Sequence, residues 1–531
     1  MTKNNSFDVV VIGAGFAGMY ALYKLRKLGF KVKVYERASD VGGTWFWNRY
    51  PGARCDVNSL EYSYQFSEEL QQQWSWSERY SSQPEILRYA KHVAERFDLR
   101  REIQFETQVV QLDFNEAESL WSGKTDKGCQ FHSNFLVMAT GCLSKGNTPN
   151  FTGIDNFGGE LLHTARWPHS NINFSGRDVA VIGTGSSAIQ LIPIVAEKAK
   201  SLTVFQRTAN FSIPAQNTKM DAEYETQIKA NYREFRERNS RQRSAIAMSP
   251  NPTSALKVSR AQRDNIYEER WSQGGLPFAA SFNDLGISQE ANSTAVDFIH
   301  QKIKQLVKDQ SVAEKLCPKT TMGCKRLCVD SDYYKTFNRD NVSLVDINEQ
   351  PIKTITEHGL STANAEYRFD SLILATGFDA MTGAILDIKI QGSKTLTLSE
   401  HWAEGPLNYL GLMMNGFPNL FTITGPGSPS VLSNMIVAIE QHVDFISDLL
   451  IFMRQNGKRN FEATRQAEID WVQQVNGIAE QTLYTSGCNS WYLGANIPGK
   501  PKIFMPYIGY PSYVEKCDEI AADNYRGIEF S

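Results

Sequence analysis

A glycine-rich turn near the start of the chain has the residue types and spacing of a site that holds a dinucleotide. Gly13, Gly15 and Gly18 follow a continuous apolar run, residues 7–12, and precede a segment with helical spacing. In such a turn the first glycine permits the bend, the second lets the backbone approach a pyrophosphate, and the third lets helix and strand pack closely. Glu36 ends the next predicted strand, where a carboxylate accepts hydrogen bonds from ribose hydroxyls and repels a 2′-phosphate. The pattern therefore favours FAD or NAD.

The same construction returns in the middle of the chain. Residues 178–182 read as a buried strand, and Gly183, Gly185 and Ser186 open the helix that follows. The strand after that helix ends in Arg207 instead of a carboxylate, and an arginine binds a 2′-phosphate through two charge-assisted hydrogen bonds. We therefore assign the first site to FAD and the second to NADPH. The alternative is that Arg207 is only a solvated surface cation.

A chain with both sites would pass hydride from NADPH to a flavin, which leaves the electron acceptor to be identified. Disulfide reductases carry a CxxxxC pair beside the flavin, but this chain has Gly42-Gly43-Thr44-Trp45 there and only Cys55 beyond it. The 8 cysteines contain no CxxC pair, and we expect them to be ordinary thiols. Dioxygen or an external acceptor is therefore expected to take the electrons.

A short repeat indicates how the elements around these sites are arranged. An apolar strand ending in Ala-Thr-Gly occurs at residues 135–141 and again at 372–377, each time after one nucleotide-binding segment. We expect the chain to cross between two sheets near residues 142–150 and 376–380. The predicted fold is α/β, with two Rossmann-like dinucleotide-binding domains, the second inserted in the first, and a helical subdomain. The predicted segments are 1–145 (FAD domain, first part), 146–215 (NADPH domain, first part), 216–324 (helical subdomain), 325–377 (NADPH domain, second part) and 378–531 (FAD domain, second part).

Composition excludes several other classes of protein. The chain has 531 residues, 41% of them hydrophobic, which is enough for several packed domains and argues against disorder. Its 55 basic and 58 acidic side chains leave a net charge of −3, so nothing favours nucleic acid as a partner. No apolar run reaches 18 residues and the start lacks a signal-peptide pattern. We expect a cytoplasmic enzyme with no membrane span, no metal and no obligate protein partner.

A segment before the second glycine motif decides between the remaining classes. Residues 157–168 match the pattern FxGxxxHxxxW(P/D), which is the fingerprint of Baeyer–Villiger monooxygenases within the class B flavoprotein monooxygenases. The resemblance covers nearly the whole chain and looks strongest to the phenylacetone and cyclohexanone monooxygenases. Related enzymes that oxidise nitrogen or sulfur usually lack the tryptophan. The fixed positions are Phe157, Gly159, His163, Trp167 and Pro168.

The resemblance implies roles for several residues of this chain. Arg326, in a Lys-Arg pair, is similar to the arginine that lies over the flavin and stabilises the anion formed there with oxygen, and Asp56 to the carboxylate that orients it. A guanidinium suits this task because it stays protonated at neutral pH. The alternative for Arg326 and Asp56 is a purely structural ion pair.

The resemblance implies further contacts to the cofactors. Lys325 resembles the lysine that holds the 2′-phosphate together with Arg207 and Thr208, and Trp491 resembles a tryptophan of a mobile loop that closes over the nicotinamide cofactor. Thr44 and Trp45 belong to a matching segment beside the FAD.

The resemblance also implies a largely apolar substrate pocket with few hydrogen-bonding anchors. Such a lining favours hydrophobic cyclic, aromatic or steroid ketones, and Cys142 is expected to be a wall rather than a nucleophile. The implied lining residues are Val57, Cys142, Leu143, Pro429, Ser430, Val431, Leu432, Met435 and Trp491.

The predicted activity is therefore that of a Baeyer–Villiger monooxygenase, with a small-molecule ketone and O2 as substrates. FAD reduced by NADPH would react with O2, and one oxygen atom would be inserted beside the ketone carbonyl to give an ester or lactone; sulfides are further expected substrates. Three alternatives stay open: a flavin monooxygenase that oxidises nitrogen or sulfur, an NADPH:acceptor reductase, and a non-catalytic nucleotide sensor.

Overall fold

This computed structural model describes residues 5–531, which form twenty strands and the helices that connect them. The first four residues of the first predicted domain lie outside the described residues. The strands are β1 (Ser6–Ile12), β2 (Val32–Tyr35), β3 (Ile103–Gln104), β4 (Val109–Asn115), β5 (Leu120–Thr125), β6 (Gln130–Met138), β7 (Glu160–His163), β8 (Asp178–Ile182), β9 (Ser201–Gln206), β10 (Ser212–Pro214), β11 (Cys328–Asp330), β12 (Val342–Asp346), β13 (Ile352–Thr356), β14 (Gly359–Thr362), β15 (Glu366–Arg368), β16 (Ser371–Leu374), β17 (Lys389–Gln391), β18 (Leu420–Thr422), β19 (Phe461–Ala463) and β20 (Ile528–Phe530).

The helices fill the connections between these strands and form one separate group in the middle of the chain. They are α1 (Phe16–Lys27), α2 (Thr44–Trp47), α3 (Glu68–Gln73), α4 (Gln83–Arg96), α5 (Ser186–Ala196), α6 (Ala222–Ala230), α7 (Tyr232–Ser240), α8 (Arg260–Gln273), α9 (Gln289–Leu306), α10 (Gln310–Leu316), α11 (Tyr333–Thr336), α12 (Gly383–Leu386), α13 (Leu398–His401), α14 (Met435–Gln455), α15 (Arg465–Glu480) and α16 (Tyr510–Ala522).

The larger sheet contains the first glycine motif. Its strand order is β17-β4-β5-β6-β1-β2-β3, and β18 also pairs with β6. β1 lies between β6 and β2 and is parallel to both. Val9, Val10 and Val11 are completely buried, because helices including α1 and α14 cover one face and further chain covers the other. The predicted α/β architecture is thus found in this half of the molecule.

The second sheet contains the second glycine motif and is parallel throughout. Its strand order is β12-β9-β8-β16-β7, so the strand of the fingerprint segment, β7, forms an edge. These strands come from residues 160–206 and 342–374, two stretches separated by the group of helices. An antiparallel sheet of β13, β14 and β15 precedes β16.

The chain crosses between the two sheets twice, and the crossings run side by side. Gly146 bridges Phe378, the Asn147 N–H donates to the Gly377 carbonyl (2.8 Å), and the Asp379 N–H donates to the Lys145 carbonyl (2.9 Å). These residues lie in the stretches where the sequence predicts the crossings. The five-segment domain division remains our proposal, and the membership of the two sheets is the observation on which it rests.

The helices α6 to α10 lie between β10 and β11, which pair in parallel. The chain therefore leaves and re-enters the second sheet's domain at neighbouring points. Sequence patterning suggested one helix over residues 221–243, but the structure has two, α6 and α7, because Asn231 (φ −131°, ψ 37°) leaves the helical region. Asp221 caps α6 by accepting hydrogen bonds from two N–H groups of its first turn.

The expectation that all cysteines are free thiols is wrong for one pair. Cys324 and Cys488 form a disulfide across a sequence separation of 164 residues. The spacing of cysteines in the sequence cannot predict such a pair, because only folding brings the two segments together. The remaining cysteines, at positions 55, 129, 142, 317, 328 and 517, are free.

Within residues 5–531, no helix is both long enough and apolar enough to cross a bilayer. The same residues contain no group of three or more His, Cys, Asp or Glu side chains placed to hold a metal ion.

Glu440, a buried glutamate on α14, binds the backbone of the chain just before α3. Glu440 accepts hydrogen bonds from the Gln65 N–H (2.8 Å) and the Phe66 N–H (2.9 Å) through Oε1, while its buried Oε2 has no partner among the described residues. Burial raises the pKa of Glu440 to about 8, outweighing those donors and the nearby Arg236. The folded protein therefore holds a proton here that the unfolded chain releases at a lower pH.

We expect Glu440→Gln to stabilise the protein increasingly as the pH rises. Between about pH 4.5 and 8 the folded state retains the proton, so wild-type stability falls with rising pH by about 1.4 kcal/mol per unit from this group. Glutamine keeps the acceptor for both N–H groups and removes the titration. Denaturant unfolding at pH 5, 6.5 and 8 measures the difference, with the exposed Glu118→Gln as control. A difference that is constant over this range would contradict the assignment.

Candidate functional site

The first glycine loop connects β1 to α1 and brings backbone against backbone. Gly13 has φ +106°, and a Cβ there would lie 2.5 Å from the carbonyl oxygen of Ala139. A Cβ on Gly18 would lie 1.8 Å from the Gly13 carbonyl oxygen, so only glycine lets α1 approach β1 this closely. Gly15 is the N-cap of α1 and has no side chain over the N–H groups of the first turn. Those N–H groups are free to bind phosphate.

The second glycine loop repeats this geometry between β8 and α5. Gly183 has φ +115°, and a Cβ there would lie 2.3 Å from the carbonyl oxygen of Ala375. Gly185 is the N-cap of α5, which begins at Ser186. Ala139 and Ala375 each begin an Ala-Thr-Gly repeat, so the repeat marks the strand that passes directly behind each glycine loop. The structure thus explains why the repeat accompanies the motif.

An open cleft runs along the first loop. Glu36 lies in its wall, almost fully buried, and accepts hydrogen bonds from the Ala14 N–H (2.6 Å) and the Ala38 N–H (2.7 Å). Burial raises the pKa of Glu36, and these two donors oppose that shift. Each carboxylate oxygen keeps a lone pair for a further donor, such as a ribose hydroxyl. Of the predicted cofactor and substrate residues, the cleft wall contains Gly13, Gly15, Glu36, Thr44, Trp45, Cys142, Leu143, Val431 and Met435.

Two cations that form no ion pair with a described carboxylate lie near the end of β9: Arg207, which directly follows this strand, and Lys325 from a distant segment. Arg207 is exposed and Lys325 is half-buried, and neither forms an ion pair within the described residues. Burial lowers the pKa of the Lys325 ammonium, and the charge of Arg207 lowers it further, which places the two cations near each other. The Thr184 hydroxyl donates to the Thr208 carbonyl (2.8 Å) and so ties the second glycine loop to this strand end. Two close, unpaired cations beside a helix N-terminus favour a bound anion.

Arg326 and Asp56 form a two-bond ion pair. The Arg326 Nε donates to Asp56 Oδ2 (2.6 Å) and Nη2 donates to Oδ1 (2.8 Å), while Nη1 donates to the Val431 carbonyl (2.7 Å). Burial lowers the pKa of Arg326, but the Asp56 carboxylate outweighs it and the pKa lies above its ordinary value. The guanidinium therefore stays charged in a partly desolvated position, held next to the cleft by Val431.

The segment that ends in Asp56 also contacts the second glycine helix. The Tyr50 hydroxyl donates to Gln190 Oε1 (2.9 Å), and Gln190 Nε2 donates to the Arg54 carbonyl (3.0 Å). Gln190 belongs to α5, so α5 positions the backbone that carries Asp56. The ion pair is in this way placed between the two glycine loops.

Four of the predicted substrate residues line the cleft, and the others lie behind or beside it. Cys142 is buried, and burial raises the pKa of its thiol to about 12, which agrees with a neutral wall. Ser430 has φ +34° and a buried hydroxyl with no partner among the described residues. The predicted substrate residues outside the described cleft wall are Val57, Pro429, Ser430, Leu432 and Trp491.

Trp491 lies in a short 3₁₀ turn at the start of a loop. Its ring centroid is 4.4 Å from that of Tyr492, which is buried. Burial raises the pKa of Tyr492 while the positive charge of Arg326 lowers it, so this loop passes close to the guanidinium. The structure thus brings Trp491 near Arg326 without placing it in the cleft wall.

The fingerprint histidine lies at the crossings between the sheets. The Ala165 N–H donates to His163 Nδ1 (3.0 Å), so Nε2 carries the proton and donates to the Asn147 carbonyl (3.2 Å), which also accepts from the Thr376 hydroxyl (2.5 Å). Burial lowers the pKa of His163, which keeps the ring neutral in this arrangement. His163 therefore holds the first crossing against the end of β16.

The other fingerprint residues pack rather than point into the cleft. Trp167 is buried against Phe174, and Phe157 packs in the core between the second sheet and its antiparallel neighbour. A Cβ on Gly159 would lie 2.6 Å from the Asp370 carbonyl oxygen. Pro168 is half-buried at the end of the segment.

Sequence reasoning missed two contributors to this site. One is the Val431 carbonyl that binds Arg326. It could not be predicted because every residue type supplies a backbone carbonyl. The other is Lys500, whose Nζ donates to Asp379 Oδ1 (2.7 Å) and to the Ala380 carbonyl (2.9 Å) and so ties the loop after Trp491 to the second crossing. The sequence predicts residues 494–500 to be a lid loop beside Trp491, but it does not show which groups its terminal lysine binds.

Two sheets with equivalent glycine loops, a cleft along the first and unpaired cations at the second define the class of two-domain dinucleotide-binding oxidoreductases. The family model for "Pyridine nucleotide-disulphide oxidoreductase" matches residues 10–267. The chain is 40% identical to cyclohexanone 1,2-monooxygenase of Acinetobacter sp, covering 99% of this chain and 97% of that protein. It is 41% identical to a Baeyer–Villiger monooxygenase of Pseudooceanicola batsensis, again covering 99% and 97%.

A solved structure of a steroid monooxygenase bound to NADP is 49% identical, with a TM-score of 0.94 and 99% of both chains covered. The similarity in sequence and in structure extends over 99% of the chain. The chain belongs to the Baeyer–Villiger monooxygenase family.

Proposed function

We propose that this protein uses FAD, NADPH and O2 to insert one oxygen atom beside the carbonyl of a hydrophobic ketone, giving an ester or lactone. The observation that carries the proposal is the charged Arg326, held by Asp56 beside a cleft that runs along the first glycine loop. The fingerprint at residues 157–168 and the family membership support it.

The residues of the cleft along the first glycine loop fit FAD. The N–H groups at the start of α1 would bind the pyrophosphate, and Glu36 would accept hydrogen bonds from the ribose. The cleft is long enough to continue past Thr44 and Trp45 toward Cys142 and Val431. When bound there, reduced FAD would supply the electrons that activate O2.

The residues at the second loop fit NADPH. The start of α5 would bind its pyrophosphate, and Arg207, Lys325 and Thr208 would hold the 2′-phosphate. Because Lys325 directly precedes Arg326, the residue that binds the phosphate and the residue beside the flavin site share one short segment.

Arg326 has hydrogen-bonding capacity left for a reacting oxygen. Asp56 and the Val431 carbonyl take three of its N–H groups, out of the five that a guanidinium carries. The remaining two can stabilise negative charge on oxygen, first before and then after attack on a carbonyl carbon. Asp56 keeps the fork oriented, and the buried surroundings limit protonation by water.

The walls next to Arg326 favour apolar substrates. Leu143, Val431 and Met435 are apolar, and Cys142 is a neutral thiol at this location. We infer cyclic ketones as the substrate class, including bulky ones, because relatives named for cyclohexanone and for steroids are 40% and 49% identical over the whole chain. Action without an obligate protein partner and a cytoplasmic location are further parts of this proposal, carried over from the sequence analysis.

The test is product analysis with purified holoprotein. We expect NADPH consumption with cyclohexanone, phenylacetone and steroid ketones to yield esters or lactones carrying one atom from ¹⁸O₂, measured by mass spectrometry. NADPH consumption that yields only hydrogen peroxide with every ketone would contradict the proposal. Oxidation of amines or thioethers alone would favour the nitrogen- or sulfur-oxidising alternative, and rapid anaerobic reduction of a quinone would favour the reductase.

A further inference from the structure

Two cysteines that are far apart in the sequence meet beside the cations of the site. Cys324 directly precedes Lys325 and Arg326, and Cys488 lies shortly before Trp491. The disulfide between them has its Cα atoms 6.2 Å apart, within the range of protein disulfides. It therefore links the segment that carries both cations to the start of residues 488–500, which we term the lid segment.

The chain just before the lid segment also packs against the segment that carries the cations, independently of the sulfur atoms. A Cβ on Gly487 would lie 2.8 Å from the Thr321 hydroxyl oxygen, and one on Gly323 would lie 3.5 Å from the ring of Tyr484. The Tyr484 ring in turn contacts Tyr492, with centroids 6.3 Å apart. The cysteines are thus brought together by the fold, and the disulfide adds a covalent bond to an existing contact.

The far end of the lid segment is held by weaker bonds. Lys500 forms an ion pair with Asp379 (2.7 Å), and Asn496 Nδ2 donates to the Phe378 carbonyl (2.9 Å). Both partners lie in the second crossing between the sheets. A partly buried ion pair and two hydrogen bonds to backbone carbonyls can break and re-form without a chemical reaction, whereas a disulfide cannot. The disulfide therefore keeps the near end of the lid segment next to Cys324, which directly precedes Lys325 and Arg326.

We propose that Cys324 and Cys488 are a modification site for hydrogen peroxide, and that their oxidation to a disulfide holds the lid segment closed over the NADPH site. The inference rests on the proposed function in two respects: flavin monooxygenases release hydrogen peroxide when oxygen insertion fails, and the nucleotide under the lid segment is NADP(H). Hydrogen peroxide from the surroundings has the same chemistry.

The oxidation balances with hydrogen peroxide as the only oxidant. Cys488 is partly exposed, so its thiolate attacks one peroxide oxygen, forming a sulfenic acid and releasing water after proton uptake. The buried Cys324 then attacks the Cys488 sulfur, the S–S bond forms, and the hydroxyl leaves as a second water. The two thiols lose two electrons and two protons, and the peroxide gains both. A small thiol such as glutathione reverses the reaction by thiol–disulfide exchange.

Closing the disulfide is expected to tighten NADP+ binding and slow its release. For a nucleotide that needs the closed lid, the apparent Kd is inversely proportional to the fraction of time that the lid is closed. If the free lid segment is closed for about a tenth of the time, the disulfide lowers the Kd for NADP+ by up to about tenfold. Turnover limited by nucleotide release would slow accordingly.

The first experiment maps the thiols of the full-length holoprotein. Samples are reduced with dithiothreitol, desalted, and then either treated with hydrogen peroxide or allowed to turn over NADPH in air without ketone, with and without catalase. Free thiols are alkylated and the peptides analysed by mass spectrometry. We expect a linked peptide containing Cys324 and Cys488 in both oxidised arms. In the turnover arm, catalase should lower the amount of this linked peptide. Cys129→Ser, which removes an exposed free cysteine, should behave as wild type, and Cys488→Ser should give no linked peptide.

The second experiment measures NADP+ affinity by calorimetry on the same samples. Oxidised wild type should bind up to about tenfold more tightly than reduced wild type, and Cys488→Ser should match the reduced protein under both conditions. The absence of a linked peptide in every arm, or a linked peptide without a change in Kd, would overturn the proposal. Neither the oxidation by added peroxide nor the measurement of NADP+ binding needs a ketone. A failure to form ester would therefore refute the proposed function, while the thiol mapping and the Kd values would still test the disulfide.

Discussion

Arg326→Ala is expected to lose ester formation while NADPH still reduces the flavin. Removing the guanidinium leaves developing negative charge on oxygen without its hydrogen-bond donors, and loss of one such donor typically costs about 10² to 10³ in rate. Flavin reduction needs the nucleotide and flavin sites, to which we propose that Lys325, Arg207 and Glu36 contribute. Anaerobic stopped-flow absorbance measures reduction, and ester formed per NADPH consumed measures insertion.

Two further variants separate the charge of Arg326 from its orientation. Arg326→Lys keeps a cation but loses the fork that binds both Asp56 oxygens, and it should recover only part of the activity. Asp56→Asn keeps the shape and removes the negative charge, and we expect an intermediate loss with more hydrogen peroxide per NADPH. The exposed Arg368→Ala is the matched control and should be unchanged. A normal ester yield from Arg326→Ala would remove this residue from the mechanism.

Arg207→Ala is expected to raise the KM for NADPH by about ten- to a hundredfold, which corresponds to 1.5–3 kcal/mol for hydrogen bonds to a charged group. The KM for NADH should change little, because NADH has no 2′-phosphate for Arg207 to bind. Initial rates of flavin reduction at varied NADPH and NADH give both constants.

The neighbouring lysine provides an independent check on phosphate recognition. Lys325 lies near Arg207, so Lys325→Ala should produce the same preference with a smaller loss. Arg368→Ala again serves as the control for a lost exposed arginine. Equal increases in KM for both nucleotides would show that Arg207 does not read the phosphate.

Local features of the site were legible from residue types. Gly13 and Gly183 occupy positions with positive φ where a Cβ would strike a neighbouring carbonyl, so the fold restricts these positions to glycine and a pattern can reveal them. Glu36 and Arg207 end equivalent strands, and their opposite charges distinguish the two sites before any contact is known. The apolar runs at residues 7–12 and 178–182 predicted the central strands because buried parallel strands have no polar face.

Contacts between distant segments of the site could be predicted only from the family resemblance, and some could not be predicted at all. Arg326 and Asp56 are 270 residues apart, and residue types alone do not show that they meet. The role of His163 between the crossings required the positions of Asn147 and Thr376, which belong to different stretches of the chain. The Cys324–Cys488 disulfide contradicted an expectation drawn from spacing, because spacing reports only on neighbours.

The sequence by itself determined the α/β class and the family fingerprint, and it predicted two nucleotide sites with different charge preferences, since each depends on backbone conformation or residue type within a few positions. The tertiary structure decided which cation meets which carboxylate, how a backbone carbonyl and α5 place that pair, and which cysteines bond. The physical reason is that these contacts arise where two sheets, two crossings and a loop pack together, and packing is a property of the whole chain.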